Sequence, residues 1–528
     1  MSYRGMFPTD RREFLKRVGS LGALSVLGPG AVQGSQRNAA PAPGLGTIHW
    51  SRYGYNLQNT RFNPHENILG KDNVERLKMK WQFDVDVPIE TTPVVIGELL
   101  FLGVPGAVYA LNTRTGERKW KYEMASTTAR GQRRAPAMGR GAQYYEGRLY
   151  FGDSAAVMHC LDAATGKQIW TQSVQVDTDK TRPVRIHSAC AAFDGKIYVG
   201  TVGQMNRALC LDADTGAIRW QFWVTGTEYP GGGGSIWTGP GVDEQYGNVY
   251  FTTGSVKVYK PEGSLYTESI LALDADTGVL KWFYQIRPND PHDLDFSSCP
   301  VLYDAEAPPL KRGAIRQCLV AINKTGVYCM NRFTGKQFWR AQLTQKYHFG
   351  GPTVDGISVA YNKVYVVSNA ATQSIGKPPL SVTAALHGYT GDIVWWTYNL
   401  DGISQGGIAV ANGLLYQGFN DGRVQILDTD TGRQLWEYSL PTSRRAGFTV
   451  AEGTLYCSSG VAGGTLDGGR PGMNSPEMVT KFLSANRYSL YAFSPDGQIG
   501  GNHEDHYPHP SSVPFHGRRF CFQLALFS

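Results

Sequence analysis

At 528 residues, 41% of them hydrophobic, the chain is long enough for two or three ordinary domains. Its formal charge of +7 is mild for that length, and Lys and Arg are spread through turn-like stretches, so no basic stripe marks a nucleic-acid partner. No apolar run has the length of an integral membrane span.

The first 35 residues read as an export signal rather than as part of a fold. Asp10-Arg11-Arg12-Glu13-Phe14-Leu15-Lys16 has the twin-arginine pattern, and the moderately apolar run Val18 to Leu27 follows it. Residues 36–46 read as a linker. The export route that reads this signal carries folded chains, so a periplasmic or secreted location is expected. Residues 47–500 are then the folded part.

Trp50 to Pro64 is turn-rich and aromatic. It leads to the strand-like run Leu77-Lys78-Met79-Lys80-Trp81-Gln82-Phe83, which is expected to pair into the last unit of a closed ring and remove an open edge. From there the chain repeats. Leu211-Asp212-Ala213-Asp214-Thr215-Gly216, closed by Trp220, recurs with its Thr-Gly and Trp in register at Gly116, Gly166, Gly278, Gly335, Gly391 and Gly432. A degenerate eighth copy, without Trp, sits at Leu490 to Gly497. Alternating runs such as Gly195-Lys196-Ile197-Tyr198-Val199-Gly200 precede the copies and read as half-buried strands. The Thr-Gly stretch is a tight turn, and the run to Trp is the next strand. Three to four short strands per unit of roughly 40–60 residues describe a propeller blade. The repeated Trp is expected to pack between neighbouring blades.

Cys160, Cys210 and Cys329 stand one residue before the repeat's Leu or Met, where other copies hold Ala110, Ala272 and Ala385. They read as small core residues. Cys190, Cys299, Cys318, Cys457 and Cys521 are left open between free and paired. There is no Cys-x-x-Cys-His, so no c-type haem is encoded. Residues 501–528, with His503, His506, His509 and His516, read as a disordered tail.

Over residues 48 to 497 the chain resembles the quinoprotein dehydrogenases, all-β proteins that bind pyrroloquinoline quinone (PQQ) at the axis of an eight-bladed β-propeller. The match lies in the Trp50 to Pro64 opening, in Glu90-Thr91-Thr92-Pro93, and above all in Gly231-Gly232-Gly233-Gly234-Ser235-Ile236-Trp237. The resemblance implies that Trp237 stacks on the quinone ring and that Asp293, in Pro291-His292-Asp293-Leu294-Asp295-Phe296, is the catalytic base. It implies that Lys324, in Asn323-Lys324-Thr325-Gly326, polarises a quinone carbonyl, and that Glu90 and Arg134 contact the cofactor's polar rim. Asp293 and Asp295 are the candidate ligands of a calcium or lanthanide ion. Departures accompany these matches. Where the family has a Gly-Thr-Gly-Asn run the chain has Thr252-Thr253-Gly254-Ser255, and Gly203-Gln204-Met205-Asn206 replaces the run that carries a liganding Glu. The adjacent Cys pair is absent, and His292 replaces the Trp before the Asp.

The resemblance implies oxidation of an alcohol, sugar or related small hydroxyl substrate. Electrons would then pass to an external acceptor such as a cytochrome c. Two other readings stand beside it. One is a quinone-free hydrolase of the tetrathionate hydrolase type, using Asp293 with Arg130, Arg133, Arg134, Arg185 and His187 to hold an oxyanion. The other is a non-catalytic periplasmic scaffold propeller.

Overall fold

The computed structural model describes residues 49–125, 127–129, 132–176, 184–203, 205–225, 233–256, 264–290, 294–308, 313–343, 355–370, 380–399, 404, 406–441, 446–460 and 488–497. The expected signal, linker and tail lie outside the described residues, as do Asp293 and His292.

Eight antiparallel sheets follow one another along the chain, as the repeat requires. Their first strands are Val94–Ile96, Gln143–Tyr145, Ala191–Phe193, Gly241–Asp243, Val301–Glu306, Ile357–Ala360, Ala409–Ala411 and Thr449–Ala451. We number the blades 1 to 8 in that order. First strands of neighbouring blades touch, which puts them on the inside of the ring. Second strands, buried on both faces, are continuous apolar runs such as Leu414–Gly418. Outer strands such as Arg118–Glu123 and Gln168–Ser173 alternate between half-buried and exposed residues, because only one face has a neighbour.

The repeated Trp and Thr-Gly form one joint, used seven times. The indole N–H of Trp120 donates to Ala163 O of the next blade at 3.1 Å, and Trp170, Trp220, Trp282, Trp339 and Trp395 make the equivalent bond to the blade that follows each. The same indoles lie against the turn glycines. A Cβ on Gly216, which has φ +75°, would stand 2.8 Å from Trp170. Gly is therefore required twice over, by the left-handed backbone and by the approach of the ring.

Blade 8 is completed from the other end of the chain. Lys78–Val85 pairs antiparallel with Tyr488–Ser494, placing Trp81 opposite Ala492. Trp81 thus supplies the indole that the degenerate eighth copy lacks, and it donates to Thr113 O of blade 1. Because the last strand of blade 8 comes from the N-terminal side, blade 8 has no Thr-Gly turn for Trp436. That ring packs on Phe493 and Tyr438 instead.

Ahead of this strand, residues 50–63 run along the inner strands almost all the way round the ring. Trp50 bridges Val95, Arg52 bridges Gln143, and Leu57, Gln58, Thr60 and Arg61 accept backbone bonds from Val242, Leu302, Val359 and Val410. Asn63 donates to Val450 O. The segment is a plug. Arg52, fully enclosed, reaches the carbonyls of Asn56, Cys190 and Pro240. Tyr53 donates to the buried Asp355, which also accepts the Cys299 N–H at 2.6 Å and faces Arg61 at 3.5 Å. The seven described cysteines are all free and buried, so Cys160, Cys210 and Cys329 are core residues as expected and Cys190, Cys299, Cys318 and Cys457 join them.

Candidate functional site

In a blade of four consecutive antiparallel strands, connections emerge alternately at the two ends. The Thr-Gly turns, between third and fourth strands, define one rim. The links between blades and the turns between second and third strands share the other rim. Trp237, Asp295, Glu90 and Arg134 sit in links between blades, and Lys324 sits in the second turn of blade 5. All five backbones therefore reach the same mouth.

A continuous set of contacts joins several of them. The glycine run leading to Trp237 pairs with the second turn of blade 4: Gly234 N donates to Ser255 O at 3.0 Å and Gly254 N donates to Ser235 O at 2.8 Å. Asn206 holds the run from blade 3, through a 2.7 Å bond to Gly233 O. The Ser255 N–H in turn donates to Asp295 Oδ1. Lys324 N donates to Asp295 O at 3.2 Å, and its ammonium stands 3.9 Å from Asp295 Oδ2. Their side chains are 10% and 17% exposed, so this pair is shielded but not sealed.

Trp237 is half-buried, and the guanidinium of Arg140 lies 5.1 Å from its ring centroid. Arg140 belongs to the link entering blade 2, and its N–H donates to His187 O at 3.1 Å. His187 is open to solvent yet ringed by protein. Burial, then the charges of Arg140 and Arg185, push its imidazole down to about 4, so it is neutral at neutral pH. Among the described residues neither Arg140 nor Arg185 has a carboxylate in ion-pairing reach. Arg140 beside the flat indole, with Arg185 near His187 and no carboxylate paired to either among the described residues, suits a planar aromatic polyanion. The tricarboxylate PQQ has that chemistry. Sequence reasoning had weighed Arg185 and His187 only for the hydrolase, and missed Arg140. The available signal was an Arg between two glycines in a link to an inner strand.

Glu90 is exposed on this mouth. Arg134 ends the short hairpin Thr127–Ala129 with Gln132–Arg134, and its side chain lies outside the description. Of the expected metal pair Asp293 and Asp295, only Asp295 lies among the described residues. Asp295 already engages the Ser255 N–H and faces Lys324, and among the described residues no three His, Cys, Asp or Glu side chains gather to hold an ion. The described donors do not complete the oxygen shell that a hard divalent cation needs, and no step below is routed through one.

Behind Asp295 lies a group that the sequence did not reveal. Glu268 is fully buried, with its Oε1 accepting from Arg287 Nη1 at 3.2 Å and Asn323 Nδ2 at 3.0 Å. Burial pushes its carboxyl up to about 8 against the pull of Arg287, with the charges of Asp290 and Asp295 adding to the rise.

The family model described as "Glucose/ethanol/alcohol dehydrogenase, beta-propeller domain" matches residues 50–345, and one described as "Outer membrane protein assembly factor BamB" matches residues 313–460. The chain belongs to the PQQ-dependent quinoprotein dehydrogenase family, and is an oxidoreductase of that type. It is 29% identical over 513 residues to a polyvinylalcohol dehydrogenase of Sphingopyxis sp. (strain 113P3), covering 82% of this chain and 76% of the relative. It is 29% identical over 390 residues to the quinohemoprotein alcohol dehydrogenase ADH-IIG of Pseudomonas putida, covering 65% of this chain and 52% of the relative. The solved structure of ADHIIG from Pseudomonas putida HK5 superposes with a TM-score of 0.72 at 19% identity, covering 88% of this chain and 82% of that one, which bears on the fold alone. The hydrolase reading gains nothing from these relatives.

Proposed function

We propose that the chain is an exported PQQ-dependent dehydrogenase that oxidises the hydroxyl group of an alcohol, sugar or polyol and hands electrons to a separate carrier. The observation that carries this reading is the hydrogen-bonded path from the Trp237 segment through Ser255 to Asp295 and Lys324, on the mouth that also holds Arg140, Arg185 and His187. Trp237 offers the stacking face, Arg140 and Arg185 attract the carboxylates, and neutral His187 adds a hydrogen bond. Glu90 and Arg134 are assigned to the polar rim. PQQ, when bound, supplies the two-electron acceptor for the hydrogen of the carbinol carbon.

The remaining work falls to this chain. Asp293 is assigned the proton of the substrate hydroxyl, as a general base two residues from Asp295. Lys324, steadied by Asp295, places positive charge where an oxygen gains negative charge during reaction. The plug of residues 50–63 underlies the site, because the charge of Arg140 is felt at Tyr53 and the Gly141 backbone lies against the Tyr53 ring. Access is therefore assigned to the opposite, open side. The acceptor is assigned to a separate protein. A relative of Thauera butanivorans is named 1-butanol dehydrogenase (cytochrome c), which supports a cytochrome in that role. Export by the twin-arginine route rests on residues 10–16 and belongs to the same proposal.

The test is reconstitution. Purified chain is mixed with PQQ and assayed for dye reduction by primary, secondary and polymeric alcohols. Quinone-dependent reduction supports the reading, and turnover of polythionates without quinone would replace it with the hydrolase.

A further inference from the structure

Four side chains, the buried Glu268, Asn323 and Thr325 and the half-buried Arg287, close a ring of hydrogen bonds behind the site. Glu268 Oε1 accepts from Arg287 and from Asn323. Arg287 Nη2 donates to Thr325 Oγ1 at 3.1 Å, and Thr325 Oγ1 donates to Asn323 Oδ1 at 2.5 Å. From this ring three ties run to the segments that carry the site. Asn323 Nδ2 also donates to Leu294 O at 2.5 Å, between the assigned base Asp293 and Asp295. Asn323 and Thr325 flank Lys324 in the chain. The Glu268 N–H donates to Gly254 O at 2.8 Å, one residue before the Ser255 N–H that holds Asp295. Glu268 has φ +46°, an uncommon backbone for a residue with a side chain, so its carboxyl is aimed inward at a conformational cost.

We propose that Glu268 is a positioning residue: its Oε1 sets Asn323, and Asn323 fixes both the Lys324 turn and the Leu294 carbonyl, so that base and ammonium are held in register. This rests on the dehydrogenase reading for its kinetic consequence, but its structural consequence stands apart. The acceptor at Oε1 is what matters, since Oε2 has no hydrogen-bond partner. An amide oxygen can replace Oε1, and the amide NH2 then takes the place of Oε2. Glu268→Gln should therefore retain function, whereas Glu268→Ala leaves the Asn323 and Arg287 donors without their acceptor.

The experiment compares wild type, E268Q and E268A by hydrogen exchange resolved to single amides and by steady-state kinetics after PQQ reconstitution. In E268A the amides of Ser255 and Lys324 lose protection while blades 1 and 7 keep theirs. Its kcat falls roughly 10- to 100-fold, the scale of a catalytic group set loose by about an ångström, with KM and PQQ affinity within about threefold. E268Q stays near wild type in both measurements. If E268A does not fold, Asn323→Ala opens the same link from the other side and should show the same local loss of protection. Unchanged exchange at Ser255 and Lys324 overturns the proposal, and so does an E268Q variant as impaired as E268A, which would show that an acceptor at the Oε1 position is not what holds Asn323. If wild type shows no quinone-dependent turnover the dehydrogenase reading fails, and the exchange data still decide the positioning role.

Discussion

Gly254 offers a sharp perturbation of the site. A Cβ added there would stand 2.9 Å from Asp295 Oδ1 and 3.4 Å from Ser235 O. The first distance is too short, so something must move. The Gly254 backbone is pinned from both sides, its N–H on Ser235 O and its carbonyl under the Glu268 N–H, each at 2.8 Å. The Asp295 carboxylate is the part that yields, and with it the bond from the Ser255 N–H. A hydrogen bond to a charged group is worth about 1.5–3 kcal/mol. At about 1.4 kcal/mol per decade, that predicts a fall in kcat/KM of roughly 10- to 100-fold for Gly254→Ala if the bond acts fully in the transition state. The melting temperature should drop by only a few degrees, because one bond is lost in a very large core. Dye-linked kinetics on the reconstituted enzyme, beside calorimetry, measures both. A folded Gly254→Ala with wild-type kcat/KM would refute the claim that Asp295 steadies Lys324 for reaction.

The blade joints and the site should respond separately. Gly216→Ala, strained at φ +75° and crowded against Trp170, should cost on the order of 1–3 kcal/mol of stability by thermal melting and leave kcat per folded molecule unchanged. Trp237→Ala should do the reverse, weakening PQQ binding by roughly 10-fold in an absorbance titration with little change in melting. Glu268 sets a pH dependence. Its folded-state carboxyl keeps a proton up to about 8 while the unfolded chain releases it near 4.5, so unfolding releases a proton between those values and stability falls as pH rises through that window. At about 1.4 kcal/mol per pH unit the ceiling is about 5 kcal/mol. E268Q should flatten this slope in melting curves from pH 5 to 9, and an identical slope in both proteins would show that Glu268 is not its source.

The ring was legible because repetition writes the same packing demand many times. Each Thr-Gly needs a left-handed backbone and the Trp of six copies meets a neighbouring carbonyl, so the copies state one rule. Even the missing Trp of the eighth copy had a readable answer in Lys78–Val85, the strand-like run upstream. Trp237 and Lys324, proposed from motif as cofactor contacts, both lie in connections that open on one mouth. Arg140 and Glu268 belong to no repeat and no periodic pattern. Arg140 acquires meaning only when the link into blade 2 is laid beside Trp237, and Glu268 only when blades 4 and 5 bring Arg287 and Asn323 to it. The path of residues 50–63 is likewise long-range. Its turn-rich composition signals irregular chain but not the inner strands that it visits in succession.

The central claim is that Trp237, the cationic wall and the Asp295–Lys324 pair form a seat for a quinone. Titration of the purified chain with PQQ, followed by visible absorbance while an alcohol and an electron-accepting dye are present, tests it most directly. Saturation at one PQQ per chain, with dye reduction rising in proportion and lost in Lys324→Ala, is the predicted result. A chain that takes up no PQQ, or takes it up with no alcohol-dependent reduction of the dye, contradicts it.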